Sequence, residues 1–118
     1  MQPSSHLSLD VRRAGSESVV RLQGDLDLST LDSATAALAS AGEGAATLLL
    51  DLRDVGFMDT SGLRLVIEEQ RRARTRGYRF SVVRGSRRVQ RLFEIAGFAA
   101  DDELFIDVPV PPGVGGRA

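Results

Sequence analysis

The stretch Thr47-Leu48-Leu49-Leu50-Asp51-Leu52 constrains the fold more than any other part of the chain. A continuous apolar run of this kind is the mark of a central strand covered on both faces. On either side of it the apolar period becomes helical. Leu31, Ala34, Leu38 and Ala41 precede it, and Leu63, Val66, Ile67 and Gln70 follow. Strand and helix therefore alternate, which requires helices layered on a sheet.

The flanking segments extend the pattern. Leu7-Ser8-Leu9-Asp10-Val11 alternates with period two. A turn at Ala14-Gly15-Ser16-Glu17 returns the chain through Ser18–Leu22, so a hairpin opens the domain. Gly24 is expected to break that strand and begin the loop Gly24-Asp25-Leu26-Asp27-Leu28. Ser29 or Thr30 can cap the first helix, and Gly42 and Gly44 stop it. After the central strand the pattern predicts a loop, then a second helix beginning between Asp59 and Ser61 and ending at Gly77. A strand over Tyr78–Val83 follows. A third helix has Ser86 as cap, Val89, Leu92, Phe93 and Ala96 on one stripe, and Gly97 as its close. Leu104–Val108 reads as a short edge strand. The expectation is one α/β domain over 7–108, a mixed sheet of four or five strands packed against helices. A polar leader (1–6) precedes it, and a flexible Pro/Gly tail (109–118) follows.

Composition removes several kinds of chemistry. There is no cysteine, so disulfides, thiolate metal sites and cysteine nucleophiles are excluded. The one histidine, His6, lies in the leader, which leaves almost no material for histidine acid–base or metal chemistry. All 15 basic residues are arginine, so Schiff-base lysine and the Walker lysine are both missing. No Gly-x-Ser-x-Gly elbow occurs, and no histidine follows Ser61 to serve as base. The expectation is a protein that is not an enzyme and holds no cofactor or metal. The longest apolar-rich run, Ala45 to Leu50, is far short of the ~20 residues of a spanning helix. No secretory signal is visible at the start, so a cytoplasmic location is expected.

Charge is unevenly distributed. Residues 1–62 carry net −5, residues 63–100 net +7 and residues 101–118 net −3. The Arg-rich 64–91 region is either a nucleic-acid face or, more commonly, a set of solvated helix faces whose arginine stems cover apolar neighbours. No nucleic-acid reading motif accompanies it. The aromatic residues Phe57, Phe80, Phe93, Phe98, Phe105 and Tyr78 mostly fall at expected core positions.

The candidate site is Phe57-Met58-Asp59-Thr60-Ser61-Gly62-Leu63, where the chain enters the second helix. A helix N-terminus presents unpaired N–H groups and partial positive charge, and tolerates a carboxylate or phosphate. A hydroxyl there is within reach of a kinase. Position alone favours plain capping by Asp59, Thr60 or Ser61, and Gly62 can equally serve close packing. Asp25 and Asp27 could suggest acid–base or Mg²⁺ chemistry, although short acidic loops more often cap helices or stay in water.

This segment resembles the signature of the STAS domain found in bacterial anti-sigma factor antagonists. Three further stretches match in order: Gly24-Asp25-Leu26-Asp27, the strand Ala46–Leu52, and Ser86–Phe98 with its small cap, basic residues, Leu-Phe and Gly. The resemblance implies a partner switch. The unmodified domain would bind an anti-sigma factor that is also a serine-threonine protein kinase, and so free a sigma factor. Phosphorylation of the first hydroxyl after the family's Asp would release it, and a phosphatase would reset it. That hydroxyl is Thr60, where many members have Ser; Ser61 is the second choice. The partner surface implied is Asp25, Asp27, Asp59, Thr60, Ser61, Gly62 and Leu63, on a monomer or weak dimer. The alternative is a scaffold role in a stress-signalling or lipid-transport complex.

Overall fold

The computed structural model describes residues 6–107, and within them the chain alternates as the pattern requires. Two strands, β1 (Leu7–Ala14) and β2 (Glu17–Leu26), precede helix α1 (Leu31–Gly42) and strand β3 (Thr47–Met58). Helix α2 (Thr60–Arg76), β4 (Arg79–Val83), α3 (Arg87–Ile95) and β5 (Phe105–Ile106) complete it. The expected leader, apart from His6, lies outside the described residues, as do Val108 and the expected tail 109–118.

One five-stranded mixed sheet runs in the order β1-β2-β3-β4-β5. The hairpin pairs β1 with β2 antiparallel, and every later neighbour is parallel. Parallel neighbours need a crossover, which α1, α2 and α3 supply. The register sets Val20, Leu50 and Val82 in one row across three strands. With Leu22, Leu48, Leu52 and Phe80 they form the sheet's share of the core, joined by Ala34, Leu38, Val66, Val89 and Phe93 from the helices. Phe93 stands edge-on to Phe98 and Phe105, with centroids 5.4 and 5.0 Å away.

Several boundaries differ from the sequence expectation. Gly24 does not break β2. It adopts φ +116°, where a side chain would overlap the His6 carbonyl, and the pairing slips by a bulge before Asp25. The strand then continues to Leu26. Likewise β3 does not end at Leu52; it runs to Met58, paired with β2 at Phe57 and Met58. Local sequence gives no sign of this, because partner hydrogen bonds rather than apolar character sustain the extension.

Nor is β3 apolar on both faces. Leu48, Leu50 and Leu52 are fully buried, but Asp51 is also buried. It is held by Arg53, whose Nη2 donates to Oδ2 at 2.7 Å and whose backbone N–H donates to Oδ1 at 3.0 Å. Arg21, level with Asp51, pairs with Asp54. Burial pushes the Asp51 carboxyl up. The Arg53 hydrogen bonds and the charges of Arg53 and Arg21 outweigh it and leave the pKa below the ordinary value.

The caps are mixed. Ser86 Oγ accepts from Val89 N–H at 3.2 Å, and Gly77 closes α2 at φ +85°. Thr30 occupies the N-cap of α1, but its hydroxyl turns away from the helix and donates to the Asp25 carbonyl at 2.8 Å. Of the aromatics expected inside, Phe57 is 45% exposed, because it alternates with buried Met58, which turns toward Gly62 of α2.

Candidate functional site

The extensions of β2 and β3 build the site. They end side by side, with Asp25 opposite Phe57 and Leu26 opposite Met58. Asp59 N–H donates to the Leu26 carbonyl at 3.3 Å, so the loop after β2 and the start of α2 are tied together by backbone. Asp27 folds that loop. Its Oδ1 accepts from Ser29 N–H at 2.9 Å, Ser29 Oγ at 2.7 Å and Thr30 N–H at 3.3 Å. This is the local turn that aspartate favours.

Asp59 is the N-cap of α2, with extended backbone and a carboxylate Oδ1 that accepts from Ser61 N–H at 2.8 Å. Gly62 N–H reaches the Asp59 carbonyl at 3.0 Å. The cap leaves Thr60 exposed at the first helical position, while Ser61 is half-buried. Gly62 and Leu63 turn inward and are buried. A Cβ on Gly62 would stand 2.8 Å from Met58 Sδ and 3.1 Å from Leu26 Cδ2, so only glycine lets α2 descend this closely on the strand ends. These two residues support the surface from beneath. Asp25, Asp27 and Asp59 are each half-buried at its rim.

The partner surface expected from the sequence left out two exposed residues, Leu28 of the loop and Phe57 of the candidate segment itself. Leu28 is 74% exposed on the loop, and Phe57 is exposed at the strand end. Regular alternation would set Phe57 on the face of buried Val55; the bulge at Gly56 in the β2–β3 pairing turns it outward, and no local signal marked it. Among the described residues no three potential metal ligands converge. A groove between Gln70, Arg74, Tyr78 and Leu104 lies along the C-terminal half of α2 and does not include Thr60. No helix among the described residues is long and apolar enough to cross a membrane.

A family model described as "Mlab, STAS domain" matches residues 9–106. The chain belongs to the STAS domain family. Solved structures share the fold. The anti-sigma factor antagonist SpoIIAA in its unphosphorylated form is 22% identical, with TM-score 0.73 over 86% of this chain and 89% of that one. An anti-sigma factor antagonist from Mycobacterium paratuberculosis is 21% identical, with TM-score 0.76 over 87% and 88%. The Bacillus cell fate determinant SpoIIAA in the phosphorylated form is 21% identical, with TM-score 0.68 over 86% and 92%. This STAS domain thus has the mixed sheet and helices of those proteins.

Proposed function

We propose that this STAS domain is a non-enzymatic, cytoplasmic anti-sigma factor antagonist. Unmodified, it binds an anti-sigma factor that is also a serine-threonine kinase, and phosphorylation at Thr60 releases it. The observation that carries this reading is the exposure of Thr60 on a braced helix start, beside the exposed Leu28 and Phe57. Ser61 is the poorer acceptor, since it is half-buried.

The switch needs no change of fold. A phosphate adds about −1.5 to −2 charge units next to Asp59 and on the rim shared with Asp25 and Asp27. A partner packed on a neutral hydroxyl then meets both bulk and repulsion. Each ~1.4 kcal/mol lost weakens binding tenfold, so a loss of a few kcal/mol releases the partner. A phosphatase restores the surface.

The purified chain serves as bait in cytoplasmic extract of the source cells, with bound proteins identified by mass spectrometry. The expected partner is a kinase that also binds a sigma factor. Incubated with ATP, it should phosphorylate the peptide containing Thr60. Thr60→Ala should keep the partner and Thr60→Glu should lose it at least tenfold. An unmodified peptide together with full binding by Thr60→Glu would overturn the switch.

A second reading keeps the STAS fold and makes the chain a scaffold in a stress-signalling or lipid-transport complex, with which the family match is equally compatible. The same surface would then bind whatever the charge at residue 60, and the captured partner would be a transport component. Nucleic-acid binding ranks below both. Arg64, Arg71, Arg74, Arg79, Arg88 and Arg91 are exposed but spread over α2, β4 and α3. Affinity for DNA or RNA falling steeply with salt would mark that reading.

A further inference from the structure

The edge of the sheet carries an inference independent of Thr60. Strand β1 ends the sheet, is eight residues long, and has Ser8 through Ala14 exposed on both faces. Its pairing with β2 is unbroken from Leu7 to Ala14. The connecting turn is the two residues Gly15-Ser16, so Ala14 and Glu17 form the closing hydrogen-bonded pair. Counting back by twos, Ser8, Asp10, Arg12 and Ala14 direct their N–H and C=O groups to β2. Leu7, Leu9, Val11 and Arg13 direct theirs outward, where no strand pairs with them among the described residues.

A bare edge of this kind is a template for another strand, and proteins blunt such edges with proline, bulges or repelling charges. None of the first two occurs in β1. Its charges, Asp10, Arg12 and Arg13, are of mixed sign. We propose that β1 joins a second copy of this chain, antiparallel and edge to edge, with the two-fold axis at Val11.

Charge selects that register. A symmetric antiparallel pair that keeps each face in phase must be centred on a residue. Centring on Asp10 sets two carboxylates opposite each other, and centring on Arg12 sets two guanidiniums opposite; both are repulsive. Centring on Leu9 leaves Asp10 facing Ser8 and shortens the overlap. Centring on Val11 sets Asp10 opposite Arg12 of the other copy, twice. It also uses the outward groups of Val11 for a reciprocal pair of backbone hydrogen bonds. Asp10 and Arg12 already meet within one chain at 3.0 Å in full view of solvent, so their heads reach the cross-strand position easily.

The apolar pattern agrees. Leu9 and Val11 are 39% and 48% exposed, on the face that also carries Leu22 and Val20, their partners in β2. In the paired form Val11 meets its own copy, and Leu9 meets the aliphatic stem of Arg13. The result is one ten-stranded sheet. Because β1 begins beside Gly24 and Asp25, antiparallel pairing sends the two Thr60 surfaces to opposite ends, both open to partners.

Sedimentation of the full chain over a dilution series from about 1 mM to about 1 μM tests this. The mass should fall from two chains to one. Asp10→Arg and Arg12→Asp should each weaken association at least tenfold, and the two together should restore it. Val11→Pro removes an outward N–H at an edge position that tolerates proline, and should sediment as one chain. Val11→Cys should form a disulfide-linked dimer on oxidation, since hydrogen-bonded partners lie about 5.5 Å apart, within disulfide reach; Ser8→Cys should not. A single-chain mass throughout the series would overturn the proposal. So would single charge variants that associate like the parent, or Ser8→Cys linking as readily as Val11→Cys. If Val11→Pro fails to fold, the charge exchange decides the matter.

Discussion

Replacing Asp59 separates two effects that the same carboxylate exerts at the start of α2. Its Oδ1 accepts the Ser61 N–H at 2.8 Å, and its charge faces the positive end of a 17-residue helix. Losing a side-chain cap costs about 1 kcal/mol, within a range of about 0.5–2. Losing the charge costs a further ~0.3–1 kcal/mol at such a partly exposed position. Asp59→Ala loses both, about 1.5–2 kcal/mol together, whereas Asp59→Asn keeps an acceptor and loses about 0.5. With a urea m-value of about 1.5 kcal/mol/M, the unfolding midpoint should fall by about 1 M for the alanine variant and by about a third of that for asparagine. Amide exchange supplies a local readout, because the Ser61 N–H should lose protection in Asp59→Ala and keep most of it in Asp59→Asn. Equal midpoints for the two variants would refute the capping account, and an alanine variant as stable as the parent would refute both effects.

Three other perturbations follow from the packing. Gly62→Ala gains up to about 1 kcal/mol of helix propensity but overpacks against Met58 and Leu26, which costs about 1–3 kcal/mol. A net loss is expected in chemical unfolding, and the double variant with Met58→Ala should lose less than the two single losses added. Tyr78 donates its hydroxyl to buried Glu69 Oε2, and burial together with Glu69 pushes that hydroxyl's pKa well above its ordinary value, so it stays a donor. Tyr78→Phe leaves the carboxylate, among the described residues, with Arg72 at 3.4 Å and should cost about 1–3 kcal/mol, read as a drop in Tm. Asp51, whose folded pKa lies below its ordinary 3.8, stabilises the fold fully above that value. The contribution is lost as pH falls through the folded-state pKa. Asp51→Asn should therefore unfold earlier than the parent at neutral pH, with the gap narrowing below pH 3.8. A gap that stays constant or widens in acid would contradict the pairing with Arg53.

Much of this was legible locally. Alternation in Leu7–Val11 and the apolar run Thr47–Leu52 announced strands, and Ser86, Gly77 and Gly97 marked helix ends, because each acts through its own backbone and near neighbours. The motif from Phe57 to Leu63 was equally visible, and the family it pointed to is the one whose model matches residues 9–106. Failures came where a distant strand decided the outcome. Gly24 looks like a breaker until the hydrogen bonds of β3 carry β2 past it, and Asp51 looks like an intruder in an apolar strand until Arg53 and Arg21 close around it.

The same division runs through the site. Sequence alone determined that a carboxylate and a hydroxyl stand together at a helix start, since capping preference is written in three consecutive residues. Tertiary structure alone decided that Thr60 faces solvent while Ser61 is half-buried and Gly62 and Leu63 turn inward, and that Leu28 and Phe57 join the exposed surface. Helix phase and the length of the strand extensions fix those orientations. Both depend on how closely α2 packs against Met58 and against Leu26, the latter more than thirty positions before Gly62 in the chain.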